Sequence, residues 1–143
     1  MKSESFAGRL MGLDYGEKRI GIAMSDPMRI LATPSQVLTR TEISRDLAAL
    51  KALAESEGVT AIVLGLPTNT DGSEGEMVVK VRAFAAQLEE ALKLPLHFMD
   101  ETYSSLEADA MLRTRERDWR KRKAKRDMFA AQVILRAWMD HYL

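Results

Sequence analysis

The first apolar run is Leu10, Met11, Gly12 and Leu13, and it stops at Asp14. Tyr15-Gly16-Glu17-Lys18 has the chemistry of a turn, and an extended segment resumes at Arg19-Ile20-Gly21-Ile22-Ala23-Met24. Two such runs across a short turn predict a hairpin, with glycines at places where another backbone approaches closely. Ser25-Asp26-Pro27 closes it, and a weaker third strand is expected around Ser35-Gln36-Val37-Leu38. After Ser44, the residues Leu47, Leu50, Leu53 and Ala54 form one apolar stripe at helical spacing, and Gly58 is a suitable C-terminal stop. Residues 59–66 are almost wholly apolar, as expected of a central parallel strand buried on both faces. A turn-rich loop through Asp71-Gly72 follows Pro67. Met77, Val81, Phe84, Leu88 and Leu92 then mark a second helix, which Pro95 breaks.

Leu96-His97-Phe98-Met99 is another buried-strand candidate, ending at Asp100-Glu101. That pattern makes His97 a structural histidine. Ser104 and Glu107 have capping-box spacing and predict a third helix. Residues 113–126 form a basic stretch with the look of a solvated loop. A last helix follows, with Asp127 near its start and Phe129, Val133, Ala137 and Trp138 on one face. An antiparallel start followed by strand–helix alternation predicts an α/β mixed sheet with helices packed on it.

Composition narrows the chemistry. The chain has 143 residues, enough for one domain with a real core. We expect a loose tail over residues 1–8 and a single domain over 9–143. Residues 1–8 lack the basic and apolar regions of a leader, and no apolar run approaches the roughly 18 residues of a membrane span. There is no cysteine, which removes disulfides and thiolate chemistry and fits a cytoplasmic, reducing setting. Two histidines, His97 and His141, are too few for a histidine-rich metal site, so any metal must rest mainly on oxygen.

Charge changes the picture more than its sum suggests. The chain has 21 basic and 21 acidic residues, yet residues 113–126 hold nine basic and only two acidic ones. That asymmetry points to a polyanionic partner. Arg120, Lys121, Arg122, Lys123, Lys125 and Arg126, with Lys18 and Arg19 of the first turn, are the candidate nucleic-acid contacts. Trp119 is either a base-stacking platform or, in the preferred reading, an anchor of the loop.

Two strand ends terminate in acids, Asp14 and the pair Asp100-Glu101, and ligand sites in open α/β sheets gather beyond strand carboxyl ends. Asp127 is a third acid. Carboxylates from separate elements converge only if something offsets their repulsion, and Mg²⁺ or Mn²⁺ does so. Two such ions about 4 Å apart activate a water and stabilise the leaving oxygen of a phosphodiester.

These residues resemble a family. Asp14-Tyr15-Gly16, Lys18-Arg19-Ile20-Gly21 and Ser25-Asp26-Pro27 are similar to the N-terminal signature of the YqgF/RuvX family. Gly65-Leu66-Pro67 with Asp71-Gly72-Ser73-Glu74-Gly75, Asp100-Glu101-Thr102-Tyr103-Ser104-Ser105, and Asp127 with Ala130-Ala131 and Ile134-Leu135 resemble its later motifs. The resemblance covers nearly the whole chain, and four motifs in order make it specific. It implies a ribonuclease H-like fold, with a mixed five-stranded sheet and helices on its faces. It also implies a metal-dependent nuclease, linked in bacteria to maturation of the 5′ end of pre-16S ribosomal RNA and also proposed to resolve Holliday junctions. By motif, Asp14, Asp127 and either Glu101 or Asp100 would be the catalytic acids, which would hold two Mg²⁺ or Mn²⁺ ions. Strand neighbours face opposite sides, and Glu101 is the preferred member of its pair. Thr102 departs from the family's usual Arg, and Glu17 adds an acid where Thr or Ser is common.

Two other classes stay open on sequence alone. A non-catalytic nucleic-acid-binding module would bind equally with and without divalent ions. A phosphate-transfer ATPase would need two lobes, which 143 residues do not readily supply. RNA or branched DNA as substrate, and monomer or homodimer as state, are likewise open.

Overall fold

The structure, a computed structural model, describes residues 8–67, 75–100 and 119–143, with side chains in the last segment from residue 125 onward. The expected loop around Asp71, the helix expected from Ser104, and Glu101 and Thr102 lie outside the described residues.

The hairpin is strands β1 (Arg9–Asp14) and β2 (Arg19–Ser25), paired antiparallel with Asp14 opposite Gly21. The weak third strand is longer than its sequence suggested, β3 (Ala32–Thr39), and pairs with the far side of β2. Helix α1 (Ile43–Glu57) stops at Gly58, whose φ of 70° is left-handed and costs a glycine little. Strand β4 (Val59–Leu66) lies parallel to β1, as its unbroken apolar run requires. Helix α2 (Glu76–Leu92) leads to β5 (Leu96–Asp100), parallel to β4. The last helix is α3 (Trp119–Tyr142).

The sheet order is β3-β2-β1-β4-β5. This is the expected α/β architecture of a mixed five-stranded sheet. Alternation along β1 sends Met11 and Leu13 to one face and Leu10 to the other. On the first face they join Leu50, Val81, Phe84 and Leu88 of α1 and α2. On the second, Leu10 meets Ala131, Ile134, Leu135 and Trp138 of α3. Among the described residues no helix is long and apolar enough to cross a membrane.

Three expectations are corrected. Among the described residues β5 is an edge strand rather than a buried one, so His97 is exposed, with its ring 4.9 Å from that of Trp138. The basic stretch is helical from Trp119, because the apolar seam that begins at Phe129 anchors a helix long enough to carry polar turns ahead of it. Asp127 therefore lies roughly two turns inside α3, and no acid occupies the first turn.

Candidate active site

β1, β4 and β5 run parallel, so their carboxyl ends share one end of the sheet. Asp14 closes β1 there and is half-buried. It lies on the same face as Gly12 and Leu10, two and four positions back, which is the face that α3 covers. α3 comes close because two residues there have no side chain. A Cβ on Gly12 would sit 2.7 Å from Leu135 Cβ and 3.1 Å from the Ala131 carbonyl oxygen. A Cβ on Gly21 would overlap the carbonyl of Asp127.

Gly21 is the cross-strand partner of Asp14. The backbone of Asp127 thus rests directly beside the strand end that carries Asp14. Further along, Leu135 rests on Gly12, so α3 runs back along β1. Its first turns, with Arg120, Lys121, Arg122, Lys123, Lys125 and Arg126, project past the carboxyl end of the strand. Gly21→Ala is expected to destabilise the domain by about 1–3 kcal/mol through overpacking. It also moves Asp127 away from Asp14. Urea unfolding measures the first effect, and a wild-type midpoint would contradict this seating.

Asp127 has a defined partner. Arg19 Nε donates to its Oδ2 at 2.9 Å across 108 residues of sequence. Arg19 opens β2 rather than sitting in the turn, and it shares the face of Gly21. Lys18 does occupy the turn and is exposed.

Asp100 is placed differently. Phe98 packs against the α1–α2 core, with Arg82 of α2 5.5 Å above its ring, whereas Met99 joins the α3 side. Alternation puts Asp100 with Phe98, on the face opposite Asp14 and two strand spacings, about 10 Å, across the sheet. Among the described residues no three acids or histidines form a metal-holding cluster. The acids on the α3 side of this end of the sheet are Asp14 and Asp127, linked through Gly21. His97 stacks on Trp138, eleven residues beyond Asp127 and thus about 16 Å along the helix. An oxygen donor set of this kind fits a hard divalent cation.

Behind Asp14, the turn is held by a buried ion pair that its sequence did not reveal. Arg40 Nη1 donates to the Tyr15 hydroxyl at 2.7 Å and to the Gly16 carbonyl at 3.3 Å. Its Nε donates to Asp46 Oδ2 at 3.0 Å. Burial opposes the charge on Arg40, and its bonds to Tyr15 and Asp46 outweigh that and hold it protonated above its ordinary range. Tyr15 also packs on Phe84, with ring centroids 4.8 Å apart. Glu17 adds no acid on the α3 side: it pairs with Lys80 of α2 at 2.7 Å. The hydrogen bond from Lys80 holds its carboxyl below the usual range. Asp26 is likewise structural, its carboxylate accepting backbone N–H bonds from Leu31, Ile30 and Met28 in the β2–β3 connection.

The RuvX family model, described as Holliday junction resolvase, matches residues 8–141. The chain is similar to a Koribacter versatilis protein named "Putative pre-16S rRNA nuclease", 41% identical over 93% of this chain and 87% of that one. It is similar to a protein of the same name from Syntrophomonas wolfei, 44% identical over 92% of this chain and 94% of that one. Its fold is similar to that of Thermus thermophilus RuvC, with a TM-score of 0.57 over 92% of this chain and 96% of that one. The same fold recurs in T. thermophilus RuvC in complex with a Holliday junction, with a TM-score of 0.56 over 94% and 96% of the two chains. At 13% and 12% identity these two likenesses concern the fold, which is ribonuclease H-like. With the family model spanning nearly the whole sequence and relatives matched along most of their own length, the chain belongs to the RuvX family, nucleases that hydrolyse phosphodiester bonds.

Proposed function

We propose that the chain is a divalent-metal-dependent endonuclease that processes the 5′ end of pre-16S ribosomal RNA in the cytoplasm. The observation that carries this reading is the seating of the Asp127 backbone on Gly21, the strand partner of Asp14. Asp14 and Asp127 would hold Mg²⁺ or Mn²⁺, with Glu101 as the third ligand because Asp100 belongs to the other face. A divalent cation held by these acids supplies an activated water as nucleophile and stabilises charge on the leaving oxygen.

The chain's own part is to fix the carboxylates and to hold the substrate backbone. Six basic residues occupy positions 120–126, in the first turns of α3. Positive charge is disfavoured at a helix N-terminus. A polyanion lying across those turns removes that cost, and its phosphates are then brought to the end of β1.

The relatives' name favours ribosomal RNA precursor as substrate, and the family description favours a four-way junction. Cleavage of a pre-16S 5′-leader fragment and a four-way DNA junction, side by side with Mg²⁺ or Mn²⁺, separates them. We expect the RNA to be cut, with loss of cutting in EDTA and recovery on adding metal. Cleavage of the junction alone would replace the ribosomal reading by a resolvase. Cleavage of neither, with nucleic acid bound equally with and without metal, would leave a binding module.

A further inference from the structure

We propose that Arg19 is a latch on Asp127: its guanidinium and a divalent cation compete for the same carboxylate, so the pair sets how tightly the site takes up metal. This rests on the reading of Asp14 and Asp127 as metal ligands. Arg19 Nε donates to Asp127 Oδ2 at 2.9 Å, with the two side chains 41% and 22% exposed.

Holding α3 in place does not require this bond. The helix is already docked by Leu135 on Gly12, by its backbone on Gly21, and by Ile134 and Trp138 in the core around Leu10 and Val63. A half-exposed ion pair adds little to such a contact. What the bond does instead is give a counter-charge to an acid whose backbone rests on Gly21, the cross-strand partner of Asp14. Without a counter-charge, convergent carboxylates repel. A divalent cation at the same oxygens brings like charge close to the guanidinium, and one of the two must yield.

Arg19 has somewhere to go when substrate arrives. A phosphate offers a guanidinium a bidentate partner at least as good as a single carboxylate oxygen. Phosphate at the end of β1 would draw Arg19 from Asp127 and open the acid to metal. Substrate arrival and metal uptake then reinforce one another, each by the same factor.

The test is Mn²⁺ binding to the full chain without nucleic acid, read from the spin-resonance signal of free Mn²⁺. Wild type is compared with Arg19→Gln, Arg19→Lys, Asp127→Asn and the Gln/Asn double variant, each checked for folding by thermal melting. Arg19→Gln is expected to bind Mn²⁺ about tenfold more tightly than wild type, within the usual range of couplings between sites. Arg19→Lys keeps the charge and should stay near wild type. Asp127→Asn should weaken binding, and the double variant should show no gain from the Gln substitution. Arg19→Met gives the same comparison should the Gln variant fold poorly. Affinity unchanged or weakened in Arg19→Gln, with Asp127→Asn still weakening it, overturns the latch and leaves the metal site standing. Asp127→Asn without effect overturns both.

Discussion

Asp46→Ala is expected to destabilise the domain by about 3–5 kcal/mol, the range for breaking a buried ion pair from one side. Asp46 is 2% exposed and Arg40 14% exposed, so the substitution strands a guanidinium with little access to water. It also removes the acceptor for the Thr41 backbone N–H, which Asp46 Oδ1 satisfies at 3.0 Å. Removing both charges is a different experiment. Arg40→Met with Asp46→Leu should recover most of the loss, because an apolar pair leaves no buried charge. Urea unfolding of the two singles and the double measures this coupling. A loss below about 1 kcal/mol for Asp46→Ala, the range of exposed pairs, would contradict it.

The consequence reaches the site. Arg40 ties the hydroxyl of Tyr15 and the carbonyl of Gly16 to the first turn of α1. Those residues follow Asp14 directly. A chain that folds without this bond should hold Asp14 less firmly.

Much of this architecture is legible in local pattern. β1, β2, β4 and α2 follow from runs and stripes that tertiary contacts only reinforce. The unbroken apolar run of β4 marks a strand covered on both faces, and it lies between β1 and β5 with core residues to either side. The hairpin glycines are places of close backbone approach, as their setting implied, though only the packed helix identifies α3 as what approaches.

What sequence hides is either long-range or masked by charge. The start of α3 looks like a loop because basic side chains obscure a helix whose stability comes from the apolar seam further on. That error also put Asp127 near the start of the helix rather than about two turns inside it. The bonds from Arg19 to Asp127 and from Arg40 to Tyr15 join residues 108 and 25 apart, and no local pattern encodes them. β5 looked buried because its composition is apolar, but among the described residues the sheet ends there.

The central claim is that Asp14 contributes a metal-holding carboxylate to phosphodiester cleavage. Asparagine has the same shape but no charge, and it is a poorer ligand for a hard cation. Asp14 is half-buried at the end of β1, and its backbone pairing with Gly21 does not depend on the carboxylate. Asp14→Asn should therefore keep the fold and lose the chemistry. We expect a fall in cleavage rate of about a thousandfold, equivalent to about 4 kcal/mol of transition-state stabilisation. Thermal melting should stay close to wild type. The decisive measurement is single-turnover cleavage of the pre-16S leader fragment by wild type and Asp14→Asn at saturating Mg²⁺ or Mn²⁺. A thousandfold loss in a folded variant is the predicted result, and a wild-type rate in a folded variant would contradict the account.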